Sequence, residues 1–321
     1  MEIQHILFHV FGQPVMLYAL CIVLSVAAGL GVFAGLQRKN GLRSDTAEIF
    51  ALLALPLGLL GARLFYCLCR LTLYLEMGLD AVLRLWEGGY ALWGAFGGVV
   101  IAALLTARIT RQSAVRLLDA LAIPAALTIA LARFSEFANG EGIGLELYNP
   151  LFQRFPFAVY NTDWDTWFYA IFILEGAAAL VIALVLYFMK LKQPGSRAKA
   201  FLILYCAVQI LLESLRRDNF LRWLFVRVSQ LTAVLVLGGM LFWALYRWAK
   251  APKTMRMPGR MMIINWVLFL IGVGVCIAME FAVDKSAYMP VWLCYSIMAV
   301  CCVVMGYTAW QVIMKNVKAA E

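Results

Sequence analysis

The stretch Leu131–Gly144 places charged and polar side chains at the end of an apolar segment. Arg133 and Glu136 are three residues apart, so a helix puts both on one face, one turn apart. Glycines then end the helix and let the backbone come near a ligand. Because ionisable groups at the edge of a hydrocarbon span are costly, the cluster predicts a functional site. An Arg133–Glu136 ion pair that only anchors the helix end is the alternative. The other polar members of this cluster are Asn139 and Glu141, and the glycines that end the helix are Gly140, Gly142 and Gly144.

The composition is that of a polytopic membrane protein. The chain has 321 residues, of which 64% are hydrophobic and 14% are charged, and this predicts an all-α membrane fold. The basic residues lie in short loops between apolar runs and form no clustered basic face, so we expect no nucleic-acid binding. The first residues lack a basic segment, so no separate signal peptide is predicted.

Nine apolar runs are long enough to cross a membrane, each judged against about 20 apolar residues. The predicted spans are Val15–Leu36, Ala47–Leu68, Tyr90–Ala107, Leu117–Phe134, Trp167–Met189, Phe201–Leu215, Trp223–Leu245, Met262–Ala282 and Val291–Ile313. Basic residues follow the first, third, fifth and seventh spans and end the chain. Cytoplasmic loops are enriched in Lys and Arg, so the N-terminus is predicted outside and the C-terminus in the cytoplasm.

One loop departs from this charge pattern. Arg216, Arg217 and Arg222 follow the sixth span and so lie on the predicted outer side. Anionic lipid headgroups are one explanation, and arginines that snorkel to the interface are the other. Arg63, at the end of the second span, and Arg133 are predicted at the same face. Arginine side chains from separate helices at one leaflet favour recognition of a phosphate group.

Other residues that bind metals or cofactors elsewhere give no such pattern here. The eight cysteines lie in or beside apolar segments, where a free thiol behaves as a small hydrophobe. His5 and His9 share a helix face, but no carboxylate or thiol completes a metal site, so an amphipathic N-terminal helical turn at the interface is expected. We expect no metal and no cofactor. The glycine-rich run Gly88–Gly98 favours close helix packing over chemistry.

Several motifs, in this order along the chain, resemble those of the bacterial prolipoprotein diacylglyceryl transferase family. The family signature is Gly-Arg-x-Gly-Asn-Phe-x-Asn-x-Glu-x-x-Gly. Arg133, Phe137, Asn139, Glu141 and Gly144 fit it, whereas the chain departs from it at Ala132, Ser135 and Glu136. Further matching segments are Tyr18, Gly61–Tyr66, Glu175-Gly176, Tyr205–Glu213, Arg216-Arg217-Asp218 and Ser229-Gln230.

The resemblance extends from Tyr18 to Leu245 and implies two regions. Residues 1–248 are a seven-span transferase-like core, and residues 249–321 add two transmembrane helices without a counterpart in that core. Two departures affect the expected site: Trp93 stands where the family has a histidine, and Gln209 stands where it has an arginine. A catalytically inactive relative that binds lipid or a partner protein is therefore the alternative.

Family members transfer the diacylglyceryl group of phosphatidylglycerol to the lipobox cysteine thiol of a lipoprotein precursor, and glycerol phosphate leaves. The resemblance thus implies a multi-pass enzyme of the bacterial cytoplasmic (inner) membrane whose partners are phosphatidylglycerol, preprolipoprotein signal peptides and membrane lipid. A thiol of pKa about 8.5 must become a thiolate, and charge developing on the phosphate must be stabilised. The implied catalytic residues are Arg133, Glu136, Glu141 and Tyr18, and the implied substrate-binding residues are Arg63, Asn139, Gly144, Glu213, Arg216 and Arg217.

The resemblance implies one role for Arg133 and leaves two roles open for Glu136. Arg133 is expected to bind the phosphate, with support from Arg63 or Arg216. Glu136 either accepts the thiol proton or neutralises Arg133, which would oppose phosphate binding. A transporter with a charged outer vestibule would predict broken helices near the midplane or an inverted repeat, and the sequence contains neither.

Overall fold

The computed structural model describes residues 6–10, 12–78, 80–162, 164–191, 193–217, 221–223, 226–285 and 289–315. Within these residues, nine helices are long and apolar enough to cross a membrane, which confirms the predicted all-α polytopic fold. The helices are α1 (Leu17–Gln37), α2 (Thr46–Cys69), α3 (Leu71–Met77), α4 (Asp80–Leu83), α5 (Leu92–Ile109), α6 (Ala114–Ser135), α7 (Ile171–Phe188), α8 (Ser196–Leu215), α9 (Val228–Lys250), α10 (Gly259–Lys285) and α11 (Val291–Lys315). Only α3 and α4 are too short to span.

Short strands and 3-10 helices connect the spans at the end of the bundle where α1 begins and α6 ends. The strands are β1 (Ile6–Val10), β2 (Gln13–Met16), β3 (Ile143–Glu146), β4 (Ala158–Asn161), β5 (Thr166–Ala170), β6 (Arg222–Trp223) and β7 (Val226–Arg227). The 3-10 helices are Leu85–Glu87, Glu136–Asn139 and Pro150–Phe152. Strand β5 is the centre of an antiparallel sheet of order β3-β5-β4.

The strands shift three helix starts from their predicted positions. Helix α1 begins at Leu17 and not at Val15, because Gln13–Met16 pairs with β1. Helix α7 begins at Ile171 and not at Trp167, because Thr166–Ala170 pairs with β3 and β4. Helix α9 begins at Val228 and not at Trp223, because β6 and β7 pair with each other. Apolar strand residues next to a span cannot be told from the span by composition alone.

The prediction of an N-terminal helical turn is wrong. Residues 6–10 and 13–16 form an antiparallel pair in which His9 lies opposite Pro14. Gly12 takes a φ of +80° between the two strands, a conformation that favours glycine and closes the turn. His5 lies outside the described residues.

Two apolar cores hold the helices together. One lies between α1, α2, α5 and α6 and contains Phe33, Phe50 and Leu117. The other lies between α6, α7, α8 and α9 and continues into α10 and α11 through residues such as Phe269 and Met305. The division of the chain into a core of residues 1–248 and an addition of residues 249–321 stays a prediction.

Helices α2 and α5 approach so closely that only glycine fits at their contact. A Cβ at Gly61 would lie 2.4 Å from the carbonyl oxygen of Gly94, and one at Gly98 would lie 2.0 Å from that of Leu57. Real Cβ atoms do not come this close to backbone, so the glycines set the distance between the two helices. Gly94 and Gly98 of the glycine-rich run therefore serve close helix packing.

We expect Gly98→Ala to lower the stability of the protein by about 1–3 kcal/mol, the usual cost of overpacking, because the backbones of α2 and α5 must separate. Gly97→Ala is the matched control, since a Cβ at Gly97 meets nothing within 4 Å. Thermal unfolding in detergent measures both variants. Equal unfolding temperatures would contradict this account of the α2–α5 contact.

Candidate functional site

The ends of three helices bring together four charged side chains. Arg133 lies in the last turn of α6, and Glu136 begins the 3-10 turn that follows it. Glu175 lies one turn into α7, and Arg216 directly follows the last residue of α8. Gly140 ends the 3-10 turn with a left-handed backbone, φ +67°, which redirects the chain toward β3. We call these four residues the arginine–glutamate cluster.

Both carboxylates of the cluster contact both arginines. Arg133 Nη1 lies 2.5 Å from Glu136 Oε1 and 3.3 Å from Glu175 Oε2. Arg216 Nη1 lies 3.2 Å from Glu136 Oε2 and 3.0 Å from Glu175 Oε2. The structure thus contains the Arg133–Glu136 pair that the sequence left as an alternative. It adds a second arginine and a second glutamate from other helices, so the pair is more than a local helix anchor.

The cluster is buried and its formal charge is balanced. The side chains of Arg133, Glu136, Glu175 and Arg216 are 12%, 8%, 2% and 4% exposed. Burying four charges costs desolvation energy that their attraction offsets only in part, so such a cluster is a weak device for stability. Ionisable groups at this depth in a membrane protein are expected where they bind or move charge. The arrangement can hold an anion if a carboxylate gives up one arginine contact.

Polar residues from α1 and from the signature segment surround the cluster. Tyr18, in the first turn of α1, lies near Arg133, Glu136 and Arg216. The amide of Asn139 donates to Glu141 Oε1 at 2.8 Å. The catalytic and binding roles proposed for these residues stay predictions, but their shared location agrees with the predicted face.

Gly142 brings the backbone against the cluster. Its φ is +71°, and a Cβ there would lie 2.5 Å from Glu136 Oε2 and 2.6 Å from the Cβ of Phe172. A Cβ at Gly144 would lie 2.8 Å from the side chain of Ile171. Glycine at these positions therefore lets the chain pass between the cluster and the start of α7.

A cavity of about 450 Å³ opens beside this segment. Arg133 does not line this cavity, but Arg217 does, and Arg217 is the residue after Arg216 of the cluster. The main-chain N–H of Arg217 donates to the carbonyl oxygen of Ile143 at 2.8 Å and so ties the end of α8 to β3. The lining residues are Gly144, Leu145, Glu146, Tyr148, Phe168 and Arg217.

Gln209 and Trp93, the two departures from the family pattern, each contact another side chain near the cluster. Gln209 donates to Glu213 Oε2 at 2.7 Å, and both side chains are buried. The ring of Trp93 lies 6.0 Å from that of Tyr205, and Tyr205 is a neighbour of Arg133. The position of the family's histidine therefore lies one side chain away from the cluster, but Trp93 supplies no base there.

Arg63 does not join Arg133 and Arg216. Its five N–H donors bond to main-chain carbonyl oxygens between α2 and α5, which are those of Ala81, Val82, Arg84, Gly88 and Gly89. The side chain is 2% exposed, and the guanidinium also lies 5.3 Å from the centre of the Tyr74 ring. We therefore propose that Arg63 holds this loop, and its predicted contact with the phosphate stays a prediction.

Arg63→Ala is expected to loosen the loop between α2 and α5 and to leave buried carbonyl oxygens unpaired, each at a cost of about 1–3 kcal/mol. Faster hydrogen exchange of the amides of residues 80–91 measures this effect. Arg70→Ala, which alters the arginine between α2 and α3, is the comparison variant. If Arg63→Ala changed the KM for lipid without changing the exchange, the original prediction would stand.

The structure adds residues that the predicted site did not include. Glu175 bridges the two arginines of the cluster, and Tyr205 packs beside Arg133. A signal for Glu175 was present in the sequence, since it is the acidic residue within an otherwise apolar span. Tyr205 was marked only by the resemblance, as the first residue of the matching segment Tyr205–Glu213.

Comparison with known proteins agrees with this geometry. Residues 5–246 match the family model of prolipoprotein diacylglyceryl transferase. The chain is 31% identical over 242 residues to the phosphatidylglycerol–prolipoprotein diacylglyceryl transferase of Symbiobacterium thermophilum, covering 73% of this chain and 90% of that protein. It is 26% identical over 247 residues to the protein of the same name from Streptococcus pyogenes serotype M5, covering 70% and 88%. The chain is therefore a multi-pass membrane protein that belongs to the prolipoprotein diacylglyceryl transferase family.

Proposed function

We propose that this chain transfers the diacylglyceryl group of phosphatidylglycerol to the cysteine thiol of a lipoprotein precursor. The observation that carries the proposal is the convergence of Arg133 and Arg216, from separate helices, on shared carboxylates at one end of the bundle. Two guanidinium groups held in place can bind the oxygens of one phosphate group. The relatives are named for this reaction.

The proposed reaction is a displacement at carbon. The thiolate sulfur attacks the carbon of the diacylglyceryl group that is bonded to the phosphate oxygen, a carbon–sulfur bond forms, and the carbon–oxygen bond breaks. The electron pair of that bond leaves with glycerol phosphate, which gains negative charge. Arg133 and Arg216 stabilise this charge, a contribution of about 10²–10³-fold for one well-placed donor. Tyr18 and Asn139 are proposed to hold the glycerol and ester oxygens.

The thiol proton is proposed to go to Glu136. The cluster is balanced, so a bound phosphate brings an excess negative charge that favours protonation of a nearby carboxylate. Glu136 Oε2 lies 3.2 Å from Arg216 Nη1, whereas Glu175 Oε1 accepts no hydrogen bond from the residues that the structure describes. Of the two side chains, Glu136 is the more exposed, at 8% against 2%. We therefore favour Glu136 as base and Glu175 as the carboxylate that orients both arginines.

The site is proposed to face the outer side of the bacterial cytoplasmic membrane, with the C-terminus in the cytoplasm. The basic loops support this orientation, because they follow the odd-numbered spans at the opposite end of the bundle. The precursor's signal peptide would then present its cysteine to the cluster from the membrane, and phosphatidylglycerol would come from the outer leaflet. Glu141 and Glu213 are proposed to orient the arginines, and Gly144 is proposed to lie in the substrate site.

The test is transfer of label from phosphatidylglycerol to a lipobox peptide by the purified full chain. We expect transfer to the cysteine peptide and none to the same peptide with cysteine replaced by serine. Restored lipoprotein processing in a bacterium that lacks its own family enzyme is the second measurement. Absence of both, with the protein folded in the membrane, would favour the inactive relative.

A further inference from the structure

The two helices outside the family match reach the segment that carries Arg216 and Arg217. Ser214 Oγ donates to Glu280 Oε2 of α10 at 2.5 Å. The hydroxyl of Tyr295, on α11, donates to the carbonyl oxygen of Ser214 at 3.3 Å. Arg217 Nη2 lies 3.5 Å from that hydroxyl and donates to it. The end of α8 is thus held by one side chain from each added helix.

A third contact runs through Arg227 in β7. Its Nη2 donates to the carbonyl oxygen of Arg216, and its Nε lies 4.0 Å from Glu280 Oε1. Arg227 is 6% exposed, so its charge needs a partner. Glu280 therefore acts on both sides of Arg216: directly on Ser214, and through Arg227 on the carbonyl of Arg216.

The segment at the end of α8, residues 214–217, is buried at Ser214 and Arg216 and has little space in which to move. Ser214 and Arg216 are 2% and 3% exposed. Buried polar groups in proteins are paired, so loss of Glu280 leaves the hydroxyl of Ser214 to find a new partner by moving. Any such movement carries Arg216 with it, and its guanidinium lies only 3.0 Å from Glu175 and 3.2 Å from Glu136.

We propose that Glu280 and Tyr295 are positioning residues of the transferase site. They fix the main chain of residues 214–217, so that Arg216 stays between the two glutamates and Arg217 stays beside the cavity. In this chain, helices α10 and α11 therefore complete the phosphate-binding end of the site, although they lie beyond the 5–246 match. The expected effect on lipid kinetics rests on the proposed function. The expected effect on the position of residues 214–217 rests only on the contacts above.

The structural test is hydrogen exchange on the full chain in lipid nanodiscs. The amide of Arg217 is bonded to the carbonyl of Ile143, so its exchange rate reports the position of the segment. We expect Glu280→Ala and Tyr295→Phe to speed exchange in residues 214–217 about tenfold. Matched controls are Tyr307→Phe, which alters an exposed tyrosine on α11, and Glu48→Gln, which alters an exposed carboxylate on α2.

The kinetic test uses phosphatidylglycerol in the transfer assay. Both variants are expected to raise the KM for this lipid about threefold to tenfold, because one positioning hydrogen bond is lost. The kcat is expected to fall as well, because a displaced Arg216 stabilises the leaving phosphate less well. Glu280→Gln keeps an oxygen that accepts from Ser214 but lacks the charge that faces Arg227, so an intermediate KM is expected. A purely structural role would lower the amount of active protein and leave KM unchanged.

Each outcome decides a separate point. Unchanged exchange in both variants overturns the positioning inference, whatever the activity. Faster exchange with an unchanged KM also overturns it, because the geometry of the segment then does not govern lipid binding. If the wild-type chain transfers no label, the proposed function fails, and faster exchange alone still supports the hold of α10 and α11 on the segment.

Discussion

Arg216→Ala is expected to reduce diacylglyceryl transfer at least a hundredfold. The substitution removes a group that stabilises the leaving phosphate, a loss of about 10²–10³-fold for one donor. It also leaves Glu136 and Glu175 with Arg133 as their remaining arginine contact in the cluster. Initial rates of label transfer, normalised to folded protein, measure the effect, and Arg133→Ala is expected to behave in the same way.

The controls for Arg216→Ala separate chemistry from folding. Breaking one side of a buried ion pair costs about 3–5 kcal/mol, so the variant must be shown to remain folded in detergent. Arg216→Lys keeps the charge but lacks the planar fork, and it should retain part of the activity. Arg154→Ala, in the loop between α6 and α7, alters an exposed arginine and should leave transfer unchanged. Undiminished transfer by folded Arg216→Ala and Arg133→Ala would reject the arginine–glutamate cluster as the active site.

Glu136→Gln is expected to lower kcat by about 10²–10⁴-fold, the range for loss of a general base. The KM for phosphatidylglycerol should stay the same or fall. The amide can still accept a hydrogen bond from Arg133, but it no longer competes with the phosphate for the arginines. Steady-state kinetics at several lipid concentrations give both values.

This variant decides between the two roles that the sequence leaves open for Glu136. If Glu136 only neutralises Arg133, kcat will be kept and lipid binding will improve. Glu175→Gln, in contrast, is expected to raise the KM for phosphatidylglycerol, because Glu175 holds both arginines. Glu76→Gln, an exposed carboxylate on α3, is the matched control and should change neither constant.

The fold followed from the sequence because a bilayer leaves few choices. Apolar runs of sufficient length must become helices there, since every backbone N–H and C=O must be bonded within its own segment. Each predicted span accordingly has its helix. The strands before α7 and α9 escaped prediction because their aromatic and apolar residues continue the composition of the span.

The site followed from the sequence only in part. Arg133, Glu136 and Arg216 could be recognised as candidates because they are charged residues at the ends of spans. A charge near hydrocarbon is costly and is therefore expected where it has a function. Spacing along one helix could show that Arg133 meets Glu136, but it could not show that Arg216 meets the same carboxylate, since that contact depends on how α6, α7 and α8 pack.

Arg63 shows the same division of information. By residue type and predicted face it matched Arg133 and Arg216, yet its donors bond to carbonyl oxygens of a loop. Conversely, Glu280 and Tyr295 were not part of the predicted site, and the structure places them against the end of α8. The sequence by itself determined which segments cross the membrane and which charges needed a reason to be there. Only the tertiary structure decided which of those charges meet, because a guanidinium bonds to whichever oxygens the packing of distant helices and loops brings within about 3 Å.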